Sequence, residues 1–310
     1  MNILLTGARG QLGQHMAPLL ADRGSLVETS RSGGCGNHED AGRGDVRQIP
    51  CDLADGDAVT ALLEQTDPDV IVSTAAWTDV DGAESNPEAA LRMNRDLPGL
   101  LGRWCVARDR RLMHFSTDYV FNGTGNIPLR EDMPTEPINC YGQSKLAGEQ
   151  AIAHSGAQAI VLRTSWVYSA LPGNFLTAVV GRAQQGKALK VVDDQIGNPT
   201  WAGALAEAAA WCLDRWLEKP LPGPVYHVSC KGAMSWFEFA CIALNRAHGL
   251  GLLEQRPRIE AISSAQWPQE ARRPAWSVLD CNLFEKELEY KMPDVGDALD
   301  RCLATRKPFP

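Results

Sequence analysis

The sequence predicts an α/β fold, a doubly wound parallel sheet with a smaller α/β lobe toward its carboxyl-terminal side. Three observations carry that expectation. Residues 2–6 form a short apolar run, NILLT, that passes directly into the glycine-spaced stretch TGARGQLG and then into an amphipathic run at 14–21. Apolar runs at 25–29, 46–51, 69–74 and 112–115 follow, with helical segments at 57–65 and 87–109 between the later ones, the order of a parallel sheet covered on both faces. At 310 residues the chain is long enough for a large core and one compact unit of two lobes.

The first turn sets the type of sheet. Glycines at 7, 10 and 13, with Gln11 and Leu12 between them, allow a sharp turn, close backbone approach to a pyrophosphate, and tight packing of the next helix, whose amino terminus faces the phosphates. This is a Rossmann-type dinucleotide site, although G-x-x-G-x-x-G differs from the usual G-x-G-x-x-G, and a plain tight turn is the alternative. Cofactor choice is written at the end of the second strand. Ser30 and Arg31 stand where an acidic residue would hold an unmodified ribose, and a hydroxyl with a guanidinium suits a 2'-phosphate, so NADPH is favoured, with NADH as a lesser cofactor. Arg9 is either a second cation for that site or an exposed loop residue. The Gly-rich, charged stretch at 31–45 reads as a solvated loop.

The chemistry concentrates in residues 115–149. The run 112–115 ends a buried strand, which puts Ser116, Thr117 and Asp118 at the carboxyl edge of the sheet, where such folds bind ligands. The loop 122–139 holds Pro128, Pro134 and Pro137, cannot be regular throughout, and is expected to cover the site. Tyr141 and Lys145 then fall four residues apart in a segment helical over 143–150, hence on one face. Reduction of a ketone needs an acid for the developing alkoxide, and a phenol near pKa 10 is a sluggish one unless a neighbouring cation favours phenolate. Lys145 is expected to supply that charge, and Thr117 to orient the carbonyl. A packed aromatic beside a solvated lysine is the plain alternative; the glycine loop is what tips the balance.

Farther along, Pro98 cannot donate to the carbonyl of residue 94, so the helix 87–109 should kink near Asn94 and leave that carbonyl open to water. The remainder reads as a strand at 158–168, a helix at 174–186, a strand at 188–192, a helix at 201–217, a strand at 225–229, and a helix that starts at the Ser235/Glu238 capping box and ends near Gly249. The expected division is a dinucleotide-binding domain from 1–168 and 198–230 and a substrate-binding lobe from 169–197 and 231–310.

Composition narrows the partners. The net charge of −8 and the lack of a basic run disfavour nucleic acid and anionic membranes. The first apolar run is too short for a signal peptide and no segment approaches a membrane span, so a cytoplasmic protein is expected. Nine cysteines without a Cys-x-x-Cys pair or a histidine cluster argue against a disulfide framework or a zinc site. Cys140, beside Tyr141, is either thiol-reactive or an inert packing residue.

The segments TGARGQLG, AAWTDVDGAES (75–85), STDYVFNG (116–123), YGQSKLAGE (141–149), LRTSWVYS (162–169), DQIGNPTWAGALA (194–206) and RRPAWSVLD (272–280) resemble, in order and over almost the entire chain, the extended short-chain dehydrogenase/reductases, and within them the dTDP-4-dehydrorhamnose reductase family. The resemblance implies NADPH-dependent reduction at C4 of a dTDP-linked 4-keto-6-deoxyhexose, most directly dTDP-4-dehydro-L-rhamnose to dTDP-L-rhamnose, with Tyr141 as proton donor and Lys145 on the nicotinamide ribose. It implies an adenine contact at Asp52 with Leu53 beside it, a cofactor-lining turn at Ala75, Ala76 and Trp77, a relay water at Asn94 or else a plain surface amide, and substrate contacts at Asp118 and Trp166. Pro199 and Thr200 match the family's turn near the substrate. Arg273, in the family's RP element, meets either the nucleotide pyrophosphate or a structural ion partner. Where sugar dehydratases of this fold carry a glutamate, the chain has Tyr119, which disfavours elimination. Some relatives dimerise through a metal on carboxylates; the chain has His15 at one of those positions, so no metal is expected and a homodimer is left open. Two alternatives stand: another nucleotide 4-keto-6-deoxysugar reductase or epimerase, and a non-catalytic regulatory subunit of the type that partners methionine adenosyltransferase.

Overall fold

A computed structural model of the chain describes residues 1–31 and 45–305. The strands are β1 (Asn2–Thr6), β2 (Ser25–Ser30), β3 (Val46–Pro50), β4 (Val70–Ser73), β5 (Arg111–Thr117), β6 (Gln158–Thr164), β7 (Val167–Tyr168), β8 (Leu189–Val192), β9 (Ile196–Gly197), β10 (Thr200–Trp201), β11 (Val225–His227), β12 (Met234–Ser235) and β13 (Ile259–Ile262). The helices are α1 (Gln11–Ala21), α2 (Gly56–Thr66), α3 (Val80–Ser85), α4 (Pro87–Leu91), α5 (Leu97–Arg108), α6 (Cys140–Ser155), α7 (Phe175–Gln184), α8 (Ala202–Glu218), α9 (Trp236–Gly249), α10 (Asn282–Leu288) and α11 (Val295–Ala304).

Seven strands form one sheet in the order β11-β6-β5-β4-β1-β2-β3, and every neighbouring pair is parallel. The chain starts at β1, winds outward through β2 and β3, then returns to the other side of β1 at β4. That reversal opens a crevice between β1 and β4 at their carboxyl ends, the usual ligand position in open α/β sheets. Alternation within the strands explains the two layers: Ile3 and Leu5 face the core shared with α1 and α8, while Leu4 and Ile71 face the one shared with α2 and α5. The first core continues without a break from β1 through α8 into Phe239 of α9 and Leu299 and Leu303 of α11. Beyond the large sheet, β8 pairs with β13 beside α7 and α9. Among the described residues no helix is long and apolar enough to cross a membrane.

Several expectations need correction. The helix expected over 87–109 is three pieces, because α4 gives way to a π-turn at Arg92–Asp96 before α5. The backbone N–H of Leu97 reaches back to the Arg92 carbonyl, a five-residue step that accommodates Pro98. The strand expected over 158–168 breaks at Trp166, whose φ of 49° is left-handed; β7 then leaves the large sheet to pair with β10. Helix α6 begins earlier than residue 143, capped by the Asn139 side chain, which accepts from the Gly142 N–H at 2.7 Å. The short helices α3 and α10 and strand β13 span too few residues to carry a periodic signal, whereas α11 was not expected although Val295, Ala298, Leu299 and Cys302 fall at helical spacing on its buried face. Apart from its two ends, the loop at 31–45 lies outside the described residues.

Candidate functional site

At the carboxyl ends of β1, β4 and β5 the crevice widens into a cleft of about 600 Å³. Its floor is the first turn. Gly7 sits at φ 71° and donates its N–H to the Thr29 carbonyl at 3.1 Å, and a Cβ at Gly13 would overlap the Gly7 carbonyl and the Ala8 backbone. Only glycine lets α1 start this close to the turn. Among the described residues no side chain caps the amino terminus of α1, whose first-turn N–H groups are therefore open to an anion. Gly10, Gln11, Leu12, Arg31, Asp52, Leu53, Ala75 and Ala76 all line the same cleft. Trp77 does not: its backbone N–H donates to Asn94 Oδ1 at 2.9 Å and its indole N–H to the Asp79 carbonyl at 2.8 Å.

Strand β5 and helix α6 bring Thr117, Tyr141 and Lys145 to the cleft. The Thr117 hydroxyl accepts from the Tyr119 N–H at 3.2 Å and donates to Asp118 Oδ1 at 3.0 Å, and it also meets the Tyr141 phenol. Burial pushes the phenol up to about 12, with the Thr117 bond opposing and the Asp118 charge adding to the rise. The expected depression by Lys145 is absent. The Lys145 ammonium is turned inward, donating to the Phe115 carbonyl at 2.6 Å and lying 3.2 Å from His114 Nε2. Burial pushes Lys145 down to about 8, against the pull of Glu149. Glu149 forms a buried ion pair with Arg163 at 2.7 Å that ties α6 to β6.

Asp118 is buried, and desolvation raises it to about 7 despite hydrogen bonds from Ser277 and Thr117. Its Oδ2 has no partner among the described residues. Asn94 lies beneath the site: its amide donates to the Trp77 carbonyl at 3.0 Å and to Ser144 Oγ at 2.9 Å, while its own carbonyl abuts Gly148, where a Cβ would overlap it. The expected opening of that carbonyl toward water is thus filled by α6, and the surface-amide alternative fails because Asn94 is fully buried.

Trp166 reaches the cleft, but one face of its indole stacks on Trp236 at 3.6 Å with the rings 2° apart, and Gly197 packs against the indole edge at Nε1, Cε2 and Cζ2. Arg273 is elsewhere. Its guanidinium grips Asp81 with two bonds of 2.6 and 2.8 Å and meets Tyr119, at the rim of a second cavity of about 390 Å³ that also has Arg182, Lys190, Phe175 and Trp236 in its wall. Arg273 thus forms a structural ion pair with Asp81. Cys140 is not activated, since its hydrogen bond to Glu84 and burial raise the thiol above its ordinary value. His15 packs edge-on to Trp201 at 5.8 Å, and among the described residues no cluster of three or more His, Cys, Asp or Glu is placed to hold a metal.

Sequence reasoning passed over His114, Tyr119 as a cleft residue, Phe175, Trp236 and Ser277. His114 left one signal, a polar residue within the apolar run 112–115. Tyr119 follows Thr117 by two residues, and its place beside the cleft comes with the strand end; Phe175, Trp236 and Ser277 are brought in by contacts between distant segments and left none.

A glycine cradle at the switch point of a doubly wound sheet, with a Thr-Tyr-Lys set on the neighbouring strand and helix, defines a dinucleotide-binding α/β protein of the reductase class. Comparison with known proteins narrows this further. The family described as the RmlD substrate binding domain matches residues 1–307. The dTDP-4-dehydrorhamnose reductase of Burkholderia thailandensis is 35% identical over 309 residues, 98% of each chain, and that of Escherichia coli K12 is 33% identical over 305 residues, 98% of this chain and 97% of the relative. The chain belongs to the dTDP-4-dehydrorhamnose reductase family. Among solved structures, the Bacillus anthracis dTDP-4-dehydrorhamnose reductase in complex with NADP superposes with a TM-score of 0.83 at 26% identity, covering 98% of this chain and 99% of the other. The Clostridium acetobutylicum reductase gives 0.82 at 26% identity with the same coverage.

Proposed function

We propose that the chain catalyses the NADPH-dependent reduction of the C4 ketone of dTDP-4-dehydro-L-rhamnose to dTDP-L-rhamnose, with Tyr141 as proton donor. The observation that carries this reading is the convergence of Thr117, Tyr141 and Lys145 in the same cleft as the glycine cradle. The cradle fits a dinucleotide, because Gly7 and Gly13 leave room for a pyrophosphate against the uncapped start of α1. Ser30 and Arg31 offer a hydroxyl and a guanidinium to a 2'-phosphate at the far end of the cleft. A bound reduced nicotinamide supplies the hydride for C4.

The chain's own residues do the rest. At neutral pH the Tyr141 phenol is protonated, as a donor to a developing alkoxide must be. The Thr117 hydroxyl, which here donates to Asp118 Oδ1, donates to the substrate oxygen in the reaction. Lys145 keeps an ammonium below the tyrosine and offers a donor to the cofactor ribose. The lobe from 169–197 and 231–310 contributes Phe175 and Trp236, apolar surface for a deoxysugar methyl, and the cavity with Arg182 and Lys190 suits the anionic nucleotide. Purified protein given dTDP-4-dehydro-L-rhamnose should consume NADPH faster than NADH and yield dTDP-L-rhamnose, identified by mass and sugar stereochemistry. Bound NADPH with no consumption would overturn the reading.

A further inference from the structure

The inner side of Lys145 is occupied by His114, a residue that nothing in the proposed reduction so far uses. We propose that His114 is a positioning residue for Lys145, its Nε2 accepting one ammonium N–H and so fixing where the remaining donor points and how firmly the lysine holds its proton. This rests on the reading of Lys145 as part of the reductase site.

The strand places the two together. His114 lies opposite Ser73 in the β4–β5 register and opposite Val161 in the β5–β6 register, is 1% exposed, and shares its side of the sheet with Leu112, the side on which α6 packs. Its Nδ1 is 3.4 Å from Ser73 Oγ and its Nε2 is 3.2 Å from Lys145 Nζ. An ammonium carries only donors, so the contact is favourable in a single tautomer, with the proton on Nδ1 directed at Ser73 and the Nε2 lone pair directed at Lys145. Burial and the lysine charge both push the imidazole well below its ordinary value, which keeps it a neutral acceptor. Of the three ammonium N–H groups, Phe115 O and His114 Nε2 take two; the third is left for the cleft. Asn94 does not compete for this place, being held by Trp77 and Ser144. The other charged or titratable groups around the pair are Tyr141 and Glu149 on α6, Arg163 of β6 paired to Glu149, and Asp118 after β5.

Removing the acceptor leaves a buried ammonium with one partner fewer, which lowers its proton affinity. The experiment is a titration of 13Cε-lysine-labelled protein by NMR, the Lys145 resonance being assigned by its loss in Lys145→Met. In His114→Leu the Lys145 midpoint should fall by at least about half a pH unit, while His114→Gln, whose amide oxygen can accept, should stay near the wild type. Ser73→Ala, which frees the tautomer, should move the midpoint downward by a smaller amount. In a turnover assay the alkaline limb should shift with the midpoint across these variants. An unmoved midpoint in folded His114→Leu, or equal shifts in the Leu and Gln variants, would overturn the proposal. If His114→Leu does not fold, an unmoved midpoint in Ser73→Ala overturns it instead. The titration needs neither substrate nor cofactor. Variants that show the shifts, beside a wild type that reduces no keto sugar, would therefore sink the proposed function and leave the His114–Lys145 pairing standing.

Discussion

The two sides of the cleft are built differently. On the β1–α1 side the geometry belongs to the backbone: Gly7 turns, Gly13 admits the helix, and Ala75 and Ala76 keep the wall thin. On the opposite side it belongs to side chains from distant segments, with Trp166 stacked on Trp236 and Phe175 next to it, and at the adjoining cavity Arg273 is clamped on Asp81 from 192 residues away. A backbone-built wall is specified by a few consecutive residues and tolerates little change. A wall of packed side chains is specified by the whole fold and can be retuned one contact at a time, which suits a fixed cofactor on one side and a variable sugar on the other.

Variants can break or sharpen that contrast. Tyr141→Phe, at the seam, should lower turnover by about 10²–10⁴-fold with NADPH binding nearly intact, as read by stopped-flow and fluorescence titration; unchanged turnover would remove the mechanism. Gly13→Ala on the backbone side should weaken NADPH binding by about ten- to a hundredfold, the equivalent of the roughly 1–3 kcal/mol that overpacking costs. On the side-chain side, Arg273→Lys loses the two-pronged grip on Asp81 and should raise the KM for the sugar nucleotide by about tenfold, at about 1.4 kcal/mol, with the NADPH Kd unmoved. A matching change in NADPH affinity would show that the two walls are not separable. Arg31→Ser should cut the preference for NADPH over NADH by a few-fold, measured as the ratio of kcat/KM values.

Asp118 lies between the walls and has a pH signature of its own. Its folded-state value is raised from 3.8 to about 7, so the protonated form is the one that folding favours. The stability it contributes is complete below the unfolded value and is lost as the pH climbs through about 7. Asp118→Asn should therefore melt a few degrees above the wild type at pH 8, with the gap closing toward pH 4. A gap that widens on acidification would mean that the carboxylate is ionised in the folded protein.

The same contrast explains what the residues disclosed in advance. The glycine turn, the order of β1 to β6, Thr117 and the Tyr141/Lys145 spacing are local patterns, readable within a dozen neighbouring positions. The break at Trp166 was not readable, because a left-handed tryptophan is held by Trp236 and Gly197, both more than thirty positions away. The inward turn of Lys145 was missed for a similar reason. Spacing on α6 puts it on the same face as Tyr141, but the Phe115 carbonyl and His114 decide where the ammonium goes. Arg31 was found from its place at the end of the second strand and Asp52 through family resemblance, and both line the cleft.

The unbroken apolar core from β1 through α8 to α11 sets how the molecule can move. Ile3, Leu205, Phe239 and Leu303 belong to one packed body, so the carboxyl-terminal segment has no interior of its own to carry along as a rigid clam-shell half. Swinging it open would tear a shared interior. Calorimetry should therefore see a single melting event in place of two.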